Sequence, residues 1–222
     1  MRSTNLIALN DPHSAVAERY KIFRTNLNYM NVDQVDKVIM FTSSMTNEGK
    51  TTSIANTAIT FATSGKKVLL VDCDLRKSSL HKMFNLAQMP GLVNLLVEKL
   101  NLIDVVQKIE EFDNLDIITS GPQPPNPAEI LATQTFDRMI TEAREKYDII
   151  LIDSPPVLSI ADASVLCRTV DGVVLIIALN ETKKDDAKMA KKALEKVGAK
   201  ILGTLICKSD IKKHHYYYYG NK

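Results

Sequence analysis

Six short apolar runs, several of them unbroken, limit how this chain can fold: residues 38–41, 68–71, 115–118, 149–152, 173–178 and 201–206. A strand with one wet face alternates apolar and polar residues, whereas a run that is apolar throughout has both faces covered. Between most of the runs lie helical stretches, at 51–63, 91–99, 128–146 and 183–197. Strand alternating with helix predicts an α/β fold, a mostly parallel central sheet with helices on both faces. Residues 15–30 add a helix that places Val16, Tyr20, Phe23 and Leu27 at helical spacing. Residues 1–14 are expected to be an extended lead-in. After Lys208 the apolar periodicity stops, so one domain over 1–207 and a flexible tail over 208–222 are expected.

Composition removes several function classes. A net charge of +2 gives no global attraction to nucleic acid, and none is expected as a partner. Cys73, Cys167 and Cys207 are far apart and form no CxxC pair, which fits a reduced, cytoplasmic setting. No run approaches the ~18 apolar residues of a membrane span. Residues 1–10 lack the basic-then-apolar build of a signal peptide. If the chain works at a membrane, a partner must bring it there.

The chemistry concentrates in residues 41–62, FTSSMTNEGKTTSIANTAITFA. A buried strand runs into a small polar loop, and Gly49-Lys50-Thr51-Thr52 opens a helix. The strict phosphate-loop pattern places Gly where Ser44 stands, but the Gly-Lys-Thr core and its strand–helix context are intact. The loop from Ser44 through Met45, Thr46, Asn47, Glu48 and Gly49 to Thr52 is the expected nucleotide-binding segment. Its backbone N–H groups and the positive helix end hold phosphate oxygens. Lys50 neutralises charge near the β- and γ-phosphates, and the Thr51 hydroxyl ligates Mg²⁺. Two acids, Asp72 and Asp74, follow the run 68–71 at a spacing that points them the same way in an extended chain. Asp153 ends the run 149–152 as a Walker B carboxylate would. A DxD after a strand can equally be a solvated turn. The three elements in this order predict a P-loop NTPase using ATP and Mg²⁺.

The order GKTT, LLVDCDLR, IILIDSPP resembles the bacterial tyrosine kinases, whose signatures are called Walker A, A′ and B. SGPQPPNPAEIL at 120–131 is similar to that family's proline-rich segment, and the tyrosine-rich end extends the likeness. The resemblance spans about residues 5 to 220 and is closest to the Gram-positive capsule and exopolysaccharide type. It implies that residues 1–207 are a kinase domain with Lys50, Asp72, Asp74 and Arg76 in catalysis. Thr51, Asp74 and Asp153 would serve the metal, with Asp72 as the proton acceptor. Glu18-Arg19-Tyr20-Lys21-Ile22-Phe23-Arg24 is similar to the family's ExxRxxR helix, so Glu18, Lys21 and Arg24 are expected to join subunits in a ring. Lys21 stands where the pattern has Arg and lacks its bidentate fork. Thr46 and Asn47 replace a frequent Pro-Gly, and Cys207 stands where Asn is frequent near the base. The implied partners are a membrane-bound polysaccharide co-polymerase acting as adaptor at the inner face of the membrane, and a cognate phosphotyrosine phosphatase.

Tyr216, Tyr217, Tyr218 and Tyr219 in succession cannot be a core pattern, since neither helix nor strand points all four one way. They are the expected autophosphorylation sites, reached in trans, with basic Lys212 and Lys213 before them. The competing reading of the tail is an aromatic binding segment. The competing readings of the whole chain are a partition or division-site ATPase switch and an ATP-binding regulatory subunit. The ATPase group carries a signature lysine where this chain has Met45, which favours the kinase.

Overall fold

A computed structural model describes residues 5–29, 36–160 and 162–208. In chain order the strands are β1 (Val38–Ser43), β2 (Val68–Asp72), β3 (Val106–Ile109), β4 (Phe112–Ile118), β5 (Ile149–Asp153), β6 (Gly172–Ala178) and β7 (Ile201–Cys207). The helices are α1 (Ile7–Asn10), α2 (Ala15–Tyr29), α3 (Lys50–Thr63), α4 (Leu80–Phe84), α5 (Leu92–Glu98), α6 (Leu102–Val105), α7 (Pro127–Leu131), α8 (Gln134–Lys146), α9 (Asp162–Leu166) and α10 (Lys184–Lys196). The strands form one seven-stranded sheet in the order β3-β4-β2-β5-β1-β6-β7. Every neighbouring pair is parallel except β3 with β4.

The unbroken apolar runs become the buried centre, with β1, β2 and β5 covered at every position. Their side chains divide by alternation between two cores. Met40, Leu69 and Val71 join Leu92, Phe136, Ile140 and Leu194 under α5, α8 and α10. Ile39, Phe41 and Leu70 join Ile54, Ile59, Phe61 and Leu80 under α3 and α4. Helices on both faces of a mostly parallel sheet are what the sequence predicts.

Three local expectations are corrected. The lead-in is not extended throughout, because Ile7–Asn10 is helical and Leu6 and Ala8 are buried. Asn56 of α3 fastens it, accepting from Ala8 N (2.8 Å) and donating to the Asn5 carbonyl (2.9 Å). The single helix expected over 128–146 is two. Thr133 accepts from Phe136 N (3.4 Å) as the N-cap of α8, and α7 has ended before it. The antiparallel edge strand β3 was not expected, nor the start of β4 at Phe112. Both are mostly half-exposed and give no unbroken apolar run.

One close approach carries much of the architecture on the β4 side. The loop before α5 lies on the end of β4, where Leu92 N donates to Thr119 O (2.7 Å) and Val93 N to Ser120 O (3.0 Å). A Cβ on Gly91 would sit 2.3 Å from Gly121 N and 2.5 Å from Thr119 O, so only glycine permits the contact. Gly91→Ala must push two backbones apart. Overpacking of this kind costs about 1–3 kcal/mol, which a urea unfolding curve should register. An unchanged midpoint would show that the loop lifts off freely.

Candidate active site

The carboxyl ends of the parallel strands meet along one edge, where ligands bind in open α/β sheets. Registry ends β2 and β5 level, two residues short of the end of β1: Asp153 of β5 pairs with Phe41 of β1 on one side and with Asp72 of β2 on the other. The loop 44–49 leaves β1 above them. Asn47 and Gly49 take left-handed conformations, at φ 64° and 86°. Inside the loop Ser43 Oγ donates to Met45 O (2.7 Å), and Met45 N donates to Glu48 Oε2 (2.9 Å). No side chain caps α3 behind Gly49, so its first-turn amides are left for a ligand.

A cleft of about 420 Å³ opens here, lined by Thr46, Asn47, Gly49, Lys50, Thr51 and Thr52 on one side and Asp74, Lys77, Ser78, Ser79, Lys82 and Met83 on the other, with Lys208 at its rim. Lys50 is buried with its Nζ 3.8 Å from Asp74 Oδ2. Thr51 Oγ1 donates to Asp153 Oδ2 at 2.6 Å. Asp74 Oδ1 accepts from Lys77 N (3.0 Å), and Lys77 Nζ donates to Asn47 Oδ1 (2.9 Å), which ties the A′ loop to the phosphate loop. Asp72 is fully buried one layer deeper. Its Oδ1 accepts from Asp74 N, and its Oδ2 accepts from Ser79 N and Leu80 N, each at 3.2 Å.

Burial raises the proton affinity of Asp72 and Asp153. Asp72 is driven well above the usual carboxylate range by burial, then by the Asp153 charge, with the Leu80 and Ser79 amides opposing and Asp74 adding to the rise. Asp153 is pushed up to about 6 by burial; the Lys50 charge and the Thr51 hydroxyl pull back, and Asp74 adds a smaller upward push. Asp153 Oδ1 and Ser44 Oγ are buried without a hydrogen-bond partner. Among the described residues no three His, Cys, Asp or Glu side chains converge tightly enough to hold a metal alone. A site of one or two carboxylates, a threonine hydroxyl and an orphaned carboxylate oxygen suits Mg²⁺ completed by phosphate oxygens and water.

The remaining expected site residues are placed unevenly. Met45 is exposed at the loop tip and does not line the cleft. Arg76 is held by Asp162: its Nε and Nη2 donate to Asp162 Oδ2 (2.9 Å) and Oδ1 (3.3 Å). Cys207 lies against the phosphate loop, its Sγ donating to Glu48 O (2.9 Å). Glu18 pairs with Lys21 of the same helix (2.7 Å), and Lys21 also donates to Pro12 O (2.8 Å). Arg24 Nη1 donates to the Thr60 carbonyl of α3 (2.6 Å), so within one chain its charge caps that helix. Tyr216, Tyr217, Tyr218 and Tyr219, with Lys212 and Lys213, lie outside the described residues.

Sequence reasoning missed Asp162, Lys77, Lys82 and Lys208. Asp162 looks like an ordinary acid in a helix's first turn, yet it is buried and clasps the A′ loop through Arg76. The pair is asymmetric, since Arg76 is 41% exposed and Asp162 is 1% exposed. Arg76→Ala therefore strands a buried carboxylate and should cost about 2–3 kcal/mol in urea unfolding. Asp162→Ala lets the arginine return to water and should cost less. The reverse order would mean that the clasp is not what holds this corner.

Residues 36–202 match the AAA domain family. The chain is 42% identical over 219 residues to the Tyrosine-protein kinase YwqD of Bacillus subtilis, covering 98% of this chain and 92% of that one. It is 37% identical to the Putative tyrosine-protein kinase CapB of Staphylococcus aureus, over 94% of this chain and 92% of that one. The kinase domain of Escherichia coli tyrosine kinase ETK superposes with a TM-score of 0.89 at 28% identity, over 100% of this chain and 87% of that one. A septum site-determining protein MinD of Pyrococcus horikoshii, complexed with Mg-ADP, reaches 0.65 at 26% identity over 77% of this chain and 69% of that one. The likeness to the division-site ATPase thus covers about three quarters of this chain, while the likeness over nearly whole chains is to kinases. The chain belongs to the AAA-domain P-loop proteins and, among them, to the bacterial tyrosine kinases of Gram-positive type.

Proposed function

We propose that the chain is an ATP-dependent protein-tyrosine kinase that phosphorylates its own Tyr216 to Tyr219 in trans and regulates capsular or exopolysaccharide synthesis. The observation that carries the chemistry is a phosphate cradle with Lys50 and Thr51 directly above the level pair Asp72 and Asp153. The γ-phosphoryl group leaves ADP as its bond to the bridging oxygen breaks. A bond to the tyrosine oxygen forms, and the hydroxyl proton passes to Asp72. The transition state is loose, so placement and charge neutralisation do most of the work. Lys50 and the loop amides balance the phosphate charge. Thr51, Asp74 and Asp153 would hold Mg²⁺, which supplies further positive charge to the phosphate oxygens. Asp72 accepts the proton late, because even an ordinary carboxylate lies near 4 and a phenol near 10, a gap that opposes full transfer beforehand. Its raised proton affinity makes that acceptance easier.

The division-site ATPase is the second reading. Its signature lysine is replaced here by Met45, which carries no charge to a neighbour's nucleotide. No helix among the described residues is long and apolar enough to cross a membrane. A membrane-bound co-polymerase adaptor that recruits and activates the chain, a homo-oligomeric ring through Glu18, Lys21 and Arg24, and a phosphotyrosine phosphatase complete the proposal.

Purified chain given ATP and Mg²⁺ should gain phosphotyrosine, and Lys50→Met or chelation of the metal should abolish it. ATP hydrolysis without phosphotyrosine would favour the ATPase switch. Asp72→Asn should keep ATP binding and lose transfer by roughly 10²–10⁴. In the native chain, the base must be ionised, and its proton affinity is raised. The rate should therefore climb with pH through a limb above the ordinary range of about 4. A profile flat down to that range would place the proton acceptor elsewhere.

The direction of transfer is tested by mixing two chains. One is Lys50→Met with its tyrosines intact; the other is active, with Tyr216 to Tyr219 all changed to Phe. Label should appear on the inactive chain. Its absence, with wild-type labelling at a rate independent of concentration, would establish transfer in cis.

A further inference from the structure

Strand β7 reaches the phosphate loop from the side opposite the A′ loop, and it grips two consecutive peptide units. Lys208 is in the left-handed region (φ 57°), and its Nζ donates to the Asn47 carbonyl at 2.8 Å and to Glu181 Oε2 at 2.5 Å. Cys207 Sγ donates to the Glu48 carbonyl at 2.9 Å. The contact is close, for a Cβ on Gly49 would lie 3.0 Å from that sulfur. Glu48 is held from the same side, its Oε1 accepting from Thr182 Oγ1 at 2.6 Å.

In a planar trans peptide the carbonyl oxygen and the following N–H point in opposite directions. Holding the Asn47 carbonyl therefore aims the Glu48 N–H, and holding the Glu48 carbonyl aims the Gly49 N–H. Asn47 and Gly49 both sit at positive φ, where a loop lacks the restraint of regular structure. The donors of a phosphate cradle are worth most when their directions are set before the anion arrives. The loop's own hydrogen bonds hold Met45 and the Glu48 side chain; Lys208 and Cys207 supply the grip on the two consecutive peptides that lead into Gly49.

We propose that Lys208 and Cys207 are positioning residues for nucleotide binding: they orient the Glu48 and Gly49 amides from the carbonyl side, so phosphate affinity is set at the end of β7. The proposal rests on the nucleotide-binding reading above. It assigns Lys208 a task that its place after the last strand, just before the tyrosine-bearing segment, gives no hint of.

The experiment measures the affinity and dissociation rate of a fluorescent ADP analogue, alongside KM for ATP, kcat and the melting temperature of the nucleotide-free protein. Lys208 is 38% exposed, which discounts its charged hydrogen bond. Lys208→Met should weaken binding about 3- to 10-fold. The change should appear in dissociation and KM more than in kcat, with melting unmoved. Lys208→Arg should recover most of the loss. Cys207→Ala, which removes no charge, should weaken binding by about twofold in the same sense. Wild-type affinity in Lys208→Met would overturn the proposal. So would wild-type affinity in Cys207→Ala, because the lysine would then act only as a charge near the phosphates. A loss that Arg does not repair and that tracks a lower melting temperature would make the contact merely structural. A wild-type chain that fails to bind the analogue would sink the nucleotide reading itself, a result distinct from all of these.

Discussion

The register between β5 and its two neighbours is the constraint on which the site depends. Because Asp153 pairs with Phe41 on one side and Asp72 on the other, two carboxylates arrive at the same height beneath a loop that starts three residues beyond Phe41. A slip of one residue in either ladder would turn an acid to the opposite face of the sheet and bury it in a hydrocarbon core. The unbroken burial of β1, β2 and β5 makes such a slip costly on both faces at once, so hydrophobic packing positions the polar chemistry to within a residue.

That arrangement has an electrostatic cost. Asp72, Asp74 and Asp153 are all buried, with Lys50 the buried cation among them. Their mutual repulsion and loss of water are partly offset by the Thr51 hydroxyl and by the amides of Ser79 and Leu80. A divalent cation held there, as proposed above, would relieve that repulsion.

The sheet centre was legible because residues buried on both faces must be apolar at every position, which leaves an unmistakable run. The loop before α3 was legible because Gly49, Lys50 and Thr51 have few other reasons to follow such a run. The edge strand β3 was not legible: half-exposed Val106, Gln107 and Lys108 look like any surface stretch. The short helices α1, α4 and α9 span too few residues to show a period. The break between α7 and α8 turned on one capping threonine. Asp162 and Lys208 carry charges of the commonest surface types, and only their partners distinguish them. Arg76 shows the converse, since its place in the A′ signature marked it for catalysis while its hydrogen bonds run to Asp162.

The first and last described residues are both moored to the same short stretch of chain. Asn5 is bonded to Asn56, and Lys208 to Asn47, nine residues apart on either side of Lys50. Tags, fluorescent reporters and fusion partners are commonly appended at chain ends on the assumption that ends are remote from function. In this fold a displacement of Lys208 reaches the Asn47 carbonyl of the loop directly, whereas one of Asn5 reaches the helix behind that loop.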